Sequence, residues 1–369
     1  MEHAAGTTRD AWSVNGQSMS SPRIMDLSRY QCPVCEQNKL HVFPTYWKCN
    51  GCGEEYGTVK GIPKLYREKD LGQRDRALRD FFYNGFLGKY YQYVMPFLAL
   101  PVRPEYWNGW LVYGLTMSLL LALFGYAMNF FFFAHRWLAP TLLDVVALLL
   151  LIAAVCFLVR HKYLFYLFLL AIPVKISLLS TRFKPVEPFA DIHARHIAQL
   201  LKRGNRLRVL DVSTGSCNSL YRHGWMQLDA DYTGLDLSET MLLQGFDFMT
   251  QKQIPMDFVL GDATRLPFVA ETFDVVLNYG ALNGYTDSKT ALAEMARVAK
   301  PNGLVLFLDE QLYPSASAVE KTYFQRVLSS HNAIHHCPVE LIPASLDDVE
   351  VHQVYHFYYL CTAYKKAMP

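Results

Sequence analysis

The sequence predicts an α/β fold built on a doubly wound sheet, together with a small cysteine ribbon and a two-helix transmembrane hairpin. From Pro188 onward, short β-branched runs alternate with helical segments, which is typical of a doubly wound sheet. Two Cys-x-x-Cys pairs lie near the N-terminus, and two long uncharged runs occupy the middle of the chain. The predicted segments are a tail over 1–29, the ribbon over 30–68, linker helices over 69–109, the hairpin over 110–160, an interfacial segment over 161–187 and the α/β domain over 188–369.

The composition limits the classes of protein that the chain can belong to. Hydrophobic residues make up 51% and charged residues 18%, which is apolar for a soluble enzyme and too charged for a pure membrane bundle. The net charge is +2, so no broad basic surface for phosphate backbones is expected and nucleic acid is disfavoured as a partner. Acidic residues and the lack of an apolar run in the first thirty positions exclude a secretory signal.

The cysteine pairs predict a structural zinc site. Cys32 and Cys35 form the first pair, Cys49 and Cys52 form the second, and 13 residues separate the pairs. This doubled spacing lets two turns present four thiolates to one tetrahedral ion. Redox pairs or disulfides are the alternative. Four cysteine ligands would close the coordination sphere, so we expect a structural ion and not a catalytic one.

Two apolar runs predict the hairpin. Trp110–Phe133 contains 24 residues without a charge, and Leu138–Val159 contains 22 residues with the single charge of Asp144. Either run is long enough to cross a bilayer as a helix. The basic cluster at 160–162 follows the second run, as at a cytosolic face. Two spans would place the ribbon and the α/β domain on the same cytosolic or matrix-like side, with the bilayer as a partner. A buried helical pair in a soluble core is the alternative.

The α/β segment contains an ordered series of strands and polar strand ends. Asp236 follows Asp211 by 25 residues and closes the second strand, where a carboxylate can accept both hydroxyls of a ribose. The loop 213–218 after the first strand is rich in small residues, which lets the backbone approach a nucleotide-like ligand. The predicted strands are Leu207–Val212, Tyr232–Asp236, Asp257–Leu260, Phe273–Leu277 and Leu304–Leu308, followed by a hairpin of Val349–Tyr355 and Phe357–Tyr364.

On these residues the chain resembles the class I methyltransferases that use S-adenosylmethionine, in particular the type 11, UbiE-like group that modifies quinones, sterols and other small molecules. The resemblance covers roughly residues 188–364 and implies a Rossmann-like fold. The paired cysteines and the Gly61-Ile62-Pro63 that follows them look like the Trm112-like zinc ribbon fused to some members. The hydrophobic hairpin departs from the family pattern.

The resemblance also implies roles for individual residues. Asp211 would hold the loop and the methionine amino group, Asp236 the ribose, and Asp262 the adenine amino group. The segment Asn278–Leu282 would lie beside the sulfonium, and Asp309 with Glu310 would flank the substrate mouth. The implied cofactor-binding residues are Asp211, Ser213, Gly215, Ser216, Asp236, Leu237, Asp262, Ala263 and Asn278.

One departure keeps a second hypothesis open. The family has three glycines in the first loop, whereas this chain has Ser213, Gly215 and Cys217. Cysteine at the third place adds bulk where chain and cofactor pack closely. The leading hypothesis is methylation of a lipophilic small molecule at a membrane. An accessory subunit of a membrane complex with a lapsed methyltransferase fold is the alternative, and an RNA methyltransferase is the third.

No catalytic residue can be chosen from the sequence. Methyl transfer is an in-line displacement on a methyl carbon that the sulfonium already activates, so it depends mainly on alignment and exclusion of water and needs no strong catalytic motif. A base near the fourth-strand loop would help with a phenol or an enolic carbon. The polar groups available for that role are Tyr279, Asn283, Tyr285 and His223, whereas His331, His335 and His336 are assigned no role.

Overall fold

The computed structural model describes residues 26–85, 88–89, 186–328 and 334–367. All of these residues belong to one compact unit. Within these ranges, no helix is long and apolar enough to cross a membrane. The predicted hairpin at 110–160 lies outside the described residues, and so do nearly all of the predicted tail and interfacial segment. Membrane insertion and the domain boundaries therefore stay predictions.

The ribbon is a four-stranded antiparallel sheet in the order β1-β2-β3-β4. Both predicted cysteine pairs lie in or beside its turns, with Cys49 at the end of β2. The ribbon is joined to the α/β part through its last strand, because Lys64 forms a parallel bridge with Leu260 at the outer strand of the large sheet. The ribbon strands are β1 (Leu40–Val42), β2 (Tyr46–Cys49), β3 (Glu55–Val59) and β4 (Ile62–Pro63).

The α/β part is built on a seven-stranded sheet in the order β10-β11-β9-β8-β5-β6-β7. The five strands β5 to β9 are parallel, and β10 and β11 close the sheet as the predicted antiparallel hairpin. The carboxyl ends of parallel strands meet at one edge, where ligands bind in such sheets. The strands are β5 (Leu207–Val212), β6 (Ala230–Asp236), β7 (Met256–Leu260), β8 (Phe273–Tyr279), β9 (Ala299–Glu310), β10 (Leu346–Tyr355) and β11 (Tyr358–Lys365).

Helices connect the strands as the alternating pattern predicts. The α2 helix lies before the first strand of the sheet and buries Ile192, Ile197 and Leu200 along one face. The α4 helix begins at a side-chain cap, where the Ser238 hydroxyl accepts a hydrogen bond from the Met241 amide. The helices are α1 (Gln73–Ala77, continued by a π-helical turn over Leu78–Tyr83), α2 (Phe189–Leu201), α3 (Asn218–Arg222), α4 (Glu239–Gln251), α5 (Ser288–Val298) and α6 (Ala318–Leu328).

The ribbon and the α/β sheet share one hydrophobic core. Tyr30 precedes the first cysteine pair, and its ring lies 5.5 Å from that of Trp47 in the ribbon and 5.3 Å from that of Phe268 in the sheet part. Phe268 in turn packs edge-on against Phe273 of β8, with 5.1 Å between ring centroids. These aromatic side chains are almost fully buried. The ribbon is therefore a structural layer of the α/β unit.

Candidate functional site

The loop after β5 has positive φ angles at all three positions where the resembling family has glycines. Ser213, Gly215 and Cys217 all have positive φ angles, of 58°, 53° and 59°. Such angles cost a non-glycine residue roughly 1–2 kcal/mol. Ser213 and Cys217 therefore adopt conformations that favour glycine, at the cost of local strain. The loop is held by the Thr214 hydroxyl, which donates to Asp211 Oδ2 over 2.6 Å.

The thiol of Cys217 lies in the interior below the loop. It is fully buried and packs against Gly245 of α4, where a Cβ atom would lie only 2.8 Å from the sulfur. Its hydrogen-bond contacts are the Thr214 hydroxyl at 3.4 Å and the Met256 sulfur at 4.0 Å. The extra bulk that the sequence introduces at the third glycine position is therefore accommodated by a glycine on the neighbouring helix.

Two buried oxygen atoms at the ends of adjacent strands have no hydrogen-bond partner among the described residues. Asp211 Oδ1 lies at the end of β5 and Asn278 Oδ1 near the end of β8. The Asn278 amide nitrogen is oriented by the Val212 carbonyl at 3.0 Å and the Tyr285 hydroxyl at 2.8 Å. Burial raises the pKa of Asp211 to about 7. Unsatisfied buried acceptors are costly, and their presence here fits a ligand that brings hydrogen-bond donors.

Asp236 closes β6 as predicted and holds two loops together. Its Oδ2 accepts from the Gly215 amide at 2.8 Å, and its Oδ1 accepts from the Ser238 amide at 2.7 Å. Burial raises the pKa of this carboxyl to about 6, against the opposing effect of the amides. Each carboxylate oxygen can accept more than one hydrogen bond, so two ribose hydroxyls remain compatible with this geometry.

The other predicted cofactor residues lie at the same edge. Asp262 follows β7 and accepts from the Thr264 amide at 2.9 Å and the Thr264 hydroxyl at 2.8 Å, while burial raises its pKa. Ala263 is buried behind it. Ser216 is buried in the first loop, where its hydroxyl accepts from Asn218 at 2.7 Å. Leu237 directly follows Asp236 and is half-buried.

Two of the polar groups predicted near the methyl position, Asn283 and Tyr285, form hydrogen bonds within and around the loop after β8. The Tyr285 hydroxyl lies 2.6 Å from the Ser213 hydroxyl. The Asn283 amide donates to Asp309 at 2.8 Å, and its side-chain nitrogen donates to the Glu310 carbonyl. Asp309 is buried, and burial raises its pKa well above the usual range. Asp309 therefore supports the loop, contrary to the expectation that it would flank an open substrate mouth.

Tyr279, at the end of β8, belongs to a hydrogen-bonded chain that the sequence did not reveal. His193 Nδ1 lies 3.1 Å from the Phe189 carbonyl, which can only accept, so Nε2 is the acceptor on this ring. The Tyr279 hydroxyl therefore donates to His193 Nε2 over 2.8 Å and accepts from Trp225 Nε1 over 2.6 Å. Burial lowers the pKa of His193 to about 4, so the imidazole is neutral.

Further aromatic rings lie around these hydrogen-bonded side chains, at the edge of the sheet where the parallel strands end. The His223 ring lies 5.0 Å from Tyr279 and 4.8 Å from Phe189. Phe189 also lies 5.5 Å from Tyr355 at the end of β10. Sequence reasoning missed His193 because a histidine on the apolar face of α2 reads as an ordinary core residue. Its position four residues after Phe189, on the helix preceding the first strand, was the available signal.

The four predicted metal ligands converge. Their sulfur atoms lie within 4.8 Å of one another, and both Cys32–Cys52 and Cys35–Cys49 are separated by 3.6 Å. Zinc–sulfur bonds of ~2.3 Å place tetrahedral sulfurs roughly 3.8 Å apart, so the set fits zinc. Burial opposes ionisation of Cys49, but the Cys52 and Gly51 amides lower its pKa to about 7. Across the described residues this is the one such cluster.

His335 and His336 belong to no metal-ligand cluster among the described residues. His336 pairs with Glu340 at 3.1 Å on the surface, and the His335 ring lies 6.3 Å from that of Phe324. His331 lies outside the described residues.

Comparison with known proteins agrees with the predicted class of fold. Residues 210–307 match the family model described as Methyltransferase domain. This segment runs from β5 through most of β9 and contains every predicted cofactor-binding residue. Residues 210–307 are therefore similar to a methyltransferase domain.

Curated relatives cover the same region. A demethylmenaquinone methyltransferase of Renibacterium salmoninarum is 35% identical over 127 residues, covering 34% of this chain and 51% of the relative. A phthiotriol/phenolphthiotriol dimycocerosates methyltransferase of Mycobacterium ulcerans is 39% identical over 115 residues, covering 31% and 40%. The chain thus spans about half or less of the length of these relatives. A solved putative methyltransferase from Bacillus halodurans is 19% identical with a TM-score of 0.37, covering 47% of this chain and 100% of that one.

Proposed function

We propose that the chain is an S-adenosylmethionine-dependent methyltransferase that modifies a lipophilic small molecule at a membrane. The observation that carries this proposal is the pair of buried acceptors, Asp211 Oδ1 and Asn278 Oδ1, at adjacent strand ends within the methyltransferase domain. A cationic ligand with ammonium donors would satisfy both the unpaired oxygens and the buried carboxyl.

The residues present fit the cofactor. Asp211 would bind its amino group, Asp236 its ribose and Asp262 its adenine. S-Adenosylmethionine would supply a methyl group on a sulfonium, from which the methyl passes to an aligned nucleophile while the thioether S-adenosylhomocysteine leaves. The protein would align the nucleophile with the methyl carbon and exclude water from the site. The neighbouring positive-φ loop around Gly215 lets the backbone approach the ligand closely.

Tyr279 is the group best suited to orient an acceptor. Its hydroxyl hydrogen is committed to His193, and one lone pair receives the Trp225 indole N–H. The remaining lone pair can accept a hydrogen bond only from a donor, such as a hydroxyl of a phenol or quinol. The acceptor oxygen or a ring carbon that it activates would then be held beside the methyl group.

Two considerations support a lipophilic substrate. The names of the two curated relatives specify a demethylmenaquinone and phthiotriol dimycocerosates as their substrates. The sequence predicts a membrane hairpin at 110–160, which would bring the site close to such a substrate. The zinc ribbon would play a structural part, because Cys32, Cys35, Cys49 and Cys52 leave no open coordination position.

Methyl transfer by membranes containing the full chain would test the proposal. Membranes would be incubated with S-adenosylmethionine labelled in its methyl group, and label would be counted after organic extraction. We expect label in the extract with the wild-type protein, and none with Asp211→Asn. Asp247→Asn on α4 is the matched control, because its side chain is largely exposed and should leave incorporation unchanged. Extracts without label, from protein that is folded and zinc-loaded, would argue against the proposal.

The alternative of an accessory subunit without activity rested on Ser213 and Cys217. Both residues adopt positive-φ conformations, and the Cys217 side chain is accommodated against Gly245, which weakens the argument for an inactive subunit. Titration of the purified chain with S-adenosylhomocysteine would separate the two hypotheses before a substrate is known. RNA methylation has no supporting observation beyond the ribbon resemblance.

A further inference from the structure

The hydrogen bond between Tyr279 and His193 runs from the edge of the sheet into the interior. Tyr279, at the end of β8, is partly exposed. His193 on α2 is only 3% exposed, and the neighbouring Trp225 is fully buried. A molecule bound at this edge would therefore meet the Tyr279 hydroxyl before the imidazole. We refer to these two side chains as the Tyr279–His193 pair.

The directions of the hydrogen bonds determine which proton of the pair can move. His193 Nδ1 donates to the Phe189 carbonyl, so the lone pair on Nε2 faces the Tyr279 hydroxyl hydrogen over 2.8 Å. The Trp225 indole donates to the Tyr279 oxygen over 2.6 Å and has no lone pair to offer in return. The Tyr279 proton is therefore directed at Nε2, and one lone pair of its oxygen is left for an incoming hydroxyl.

Methyl transfer to an acceptor that carries a hydroxyl releases one proton. The bond between sulfur and the methyl carbon breaks with its electron pair remaining on sulfur. The new bond takes an electron pair from the hydroxyl oxygen or from a ring carbon that this oxygen activates. The hydroxyl proton must then leave the acceptor, and a positioned side chain can receive it in the same step.

The change of charge during methyl transfer allows a buried imidazole to receive this proton. Burial lowers the pKa of His193 to about 4, which opposes the creation of a new positive charge at this position. The sulfonium loses its positive charge as the thioether forms, however, so a proton that reaches Nε2 in that step leaves the net charge unchanged. The hydrogen bond to the Phe189 carbonyl favours the imidazolium.

The groups around the pair support a transfer through Tyr279 and not an ionised Tyr279. Burial and the negative charge of Asp211 raise the pKa of Tyr279 well above its usual range, so the tyrosine must receive one proton as it gives up another. The positive form of His196 would oppose a charge on His193. The titratable groups that face the pair or its neighbour Phe189 are His196 on α2, His223 after α3, Tyr355 at the end of β10 and Asp211 at the end of β5.

We infer that His193 is a positioning residue of methyl transfer that takes up the proton of the acceptor by way of Tyr279. The acceptor hydroxyl gives its proton to the Tyr279 oxygen while the Tyr279 proton passes to His193 Nε2. This inference rests on the proposed function, because it needs methyl transfer to an acceptor with a hydroxyl. It narrows the substrate class to molecules whose hydroxyl loses its proton in the same step, such as phenols and quinols.

The pH dependence of label transfer tests this inference. Single turnovers by membranes containing the full chain would be followed with S-adenosylmethionine saturating at every pH, so that changes in cofactor affinity do not enter. His193→Gln keeps an acceptor for the Tyr279 hydroxyl but cannot take up a proton. We expect a nearly constant wild-type rate from pH 6 to pH 9. The rate of His193→Gln should be about 100-fold lower at pH 6.5 and rise about tenfold per pH unit, as hydroxide replaces the missing base.

His196→Gln is the matched control for this experiment. It changes a buried histidine one turn further along the same helix, whose Nδ1 lies 2.9 Å from the Tyr364 hydroxyl. This variant should keep the wild-type rate and its flat pH profile, and both variants should bind S-adenosylhomocysteine within twofold of wild type. A loss of rate by the same factor at every pH in His193→Gln would indicate a merely structural role. That result would overturn the inference and leave the proposed function intact.

Solvent isotope effects on the unaltered chain provide a test without a variant, which decides the question if His193→Gln fails to fold. Two protons move in the proposed step, so single turnovers should be slower in heavy water, and the rate should depend on the deuterium fraction along a curve. A rate that is the same in both solvents would overturn the inference alone. Absence of label with the wild-type protein would overturn both the inference and the proposed function.

Discussion

At the scale of single residues, Asp211 links pH to cofactor affinity. Burial raises the pKa of its carboxyl to about 7, and that of Asp236 to about 6. A bound ammonium group favours the ionised form, so affinity for S-adenosylhomocysteine should rise from pH 6 to pH 8 and then level off. In Asp211→Asn, affinity at pH 8 should fall at least tenfold and the rise above pH 6.5 should disappear, as measured by calorimetry at each pH.

The Asp211 carboxyl should make the free energy of unfolding fall as pH rises, whereas cofactor affinity increases. The pKa of this carboxyl in the folded state lies above its usual value of 3.8, so the folded state holds the proton more tightly and stability declines as pH rises from about 4 to 7. Without cofactor at pH 8, Asp211→Asn should therefore melt a few degrees higher, at roughly 2–4 °C for each kcal/mol regained. A lower melting temperature for this variant would contradict the assignment of Asp211 as an uncompensated buried charge.

Tyr279 should affect methyl transfer but not cofactor binding. Tyr279→Phe keeps the ring and removes the hydroxyl that donates to His193. We expect at least a tenfold lower rate of label transfer into the organic extract, because the substrate is no longer oriented towards the methyl group, and an S-adenosylhomocysteine affinity within twofold of wild type. Tyr221→Phe on α3 is the control, since its ring is partly exposed. Equal loss of affinity and rate would indicate a structural role.

The residues that the sequence could identify are those fixed by the chain order of the strands. Asp211, Asp236 and Asp262 lie at the ends of successive strands, as the spacing predicted. His193 could not be identified in this way, because its partner Tyr279 is 86 positions away along the chain. Hydrogen bonds between distant segments leave no periodic signal in the sequence.

At the scale of elements, the contact between α4 and the first loop should limit substitution at Gly245. A Cβ atom there would lie 2.8 Å from both the Cys217 sulfur and the Gly215 carbonyl oxygen. Gly245→Ala should therefore destabilise the folded state by about 1–3 kcal/mol and weaken cofactor binding, because the loop must move. The double variant Gly245→Ala with Cys217→Gly should recover part of this loss. No recovery would show that the carbonyl contact alone is limiting.

Strand positions followed from the sequence more closely than strand lengths. β5 has the predicted bounds, Leu207–Val212, because its β-branched run ends at the loop. The predicted strand Leu304–Leu308 is longer in the structure, Ala299–Glu310. That strand pairs with β8 on one side and β11 on the other, and the second pairing extends it to Glu310. The neighbouring strands determine where β9 begins and ends, so its bounds cannot be predicted from its own residues.

At the scale of the whole molecule, the sequence indicated a ribbon and an α/β domain but not their common core. Tyr30 and Phe268 form a bridge between segments more than two hundred residues apart. Cys32 and Cys49 lie in the same hydrophobic cluster as Phe273 of β8. The cysteine spacing of the ribbon and the strand–helix alternation of the α/β segment each predict a complete local fold, so the sequence predicts two separate domains. The shared core depends on shape complementarity, which a single sequence does not display.

This shared core makes the stability of the whole unit depend on the ribbon. Cys49→Ser should prevent closed tetrahedral zinc coordination and loosen Tyr30 and Trp47 against the sheet. Structural zinc contributes on the order of 10 kcal/mol in small ribbons, so the melting temperature of the α/β part should fall by at least ~10 °C in a single transition. Chelation of the wild-type ion should have the same effect. Lys48→Ala, which removes a surface ion pair, should leave the melting temperature unchanged. Two separate calorimetric transitions, with the α/β transition unmoved, would show that the ribbon folds as an independent unit.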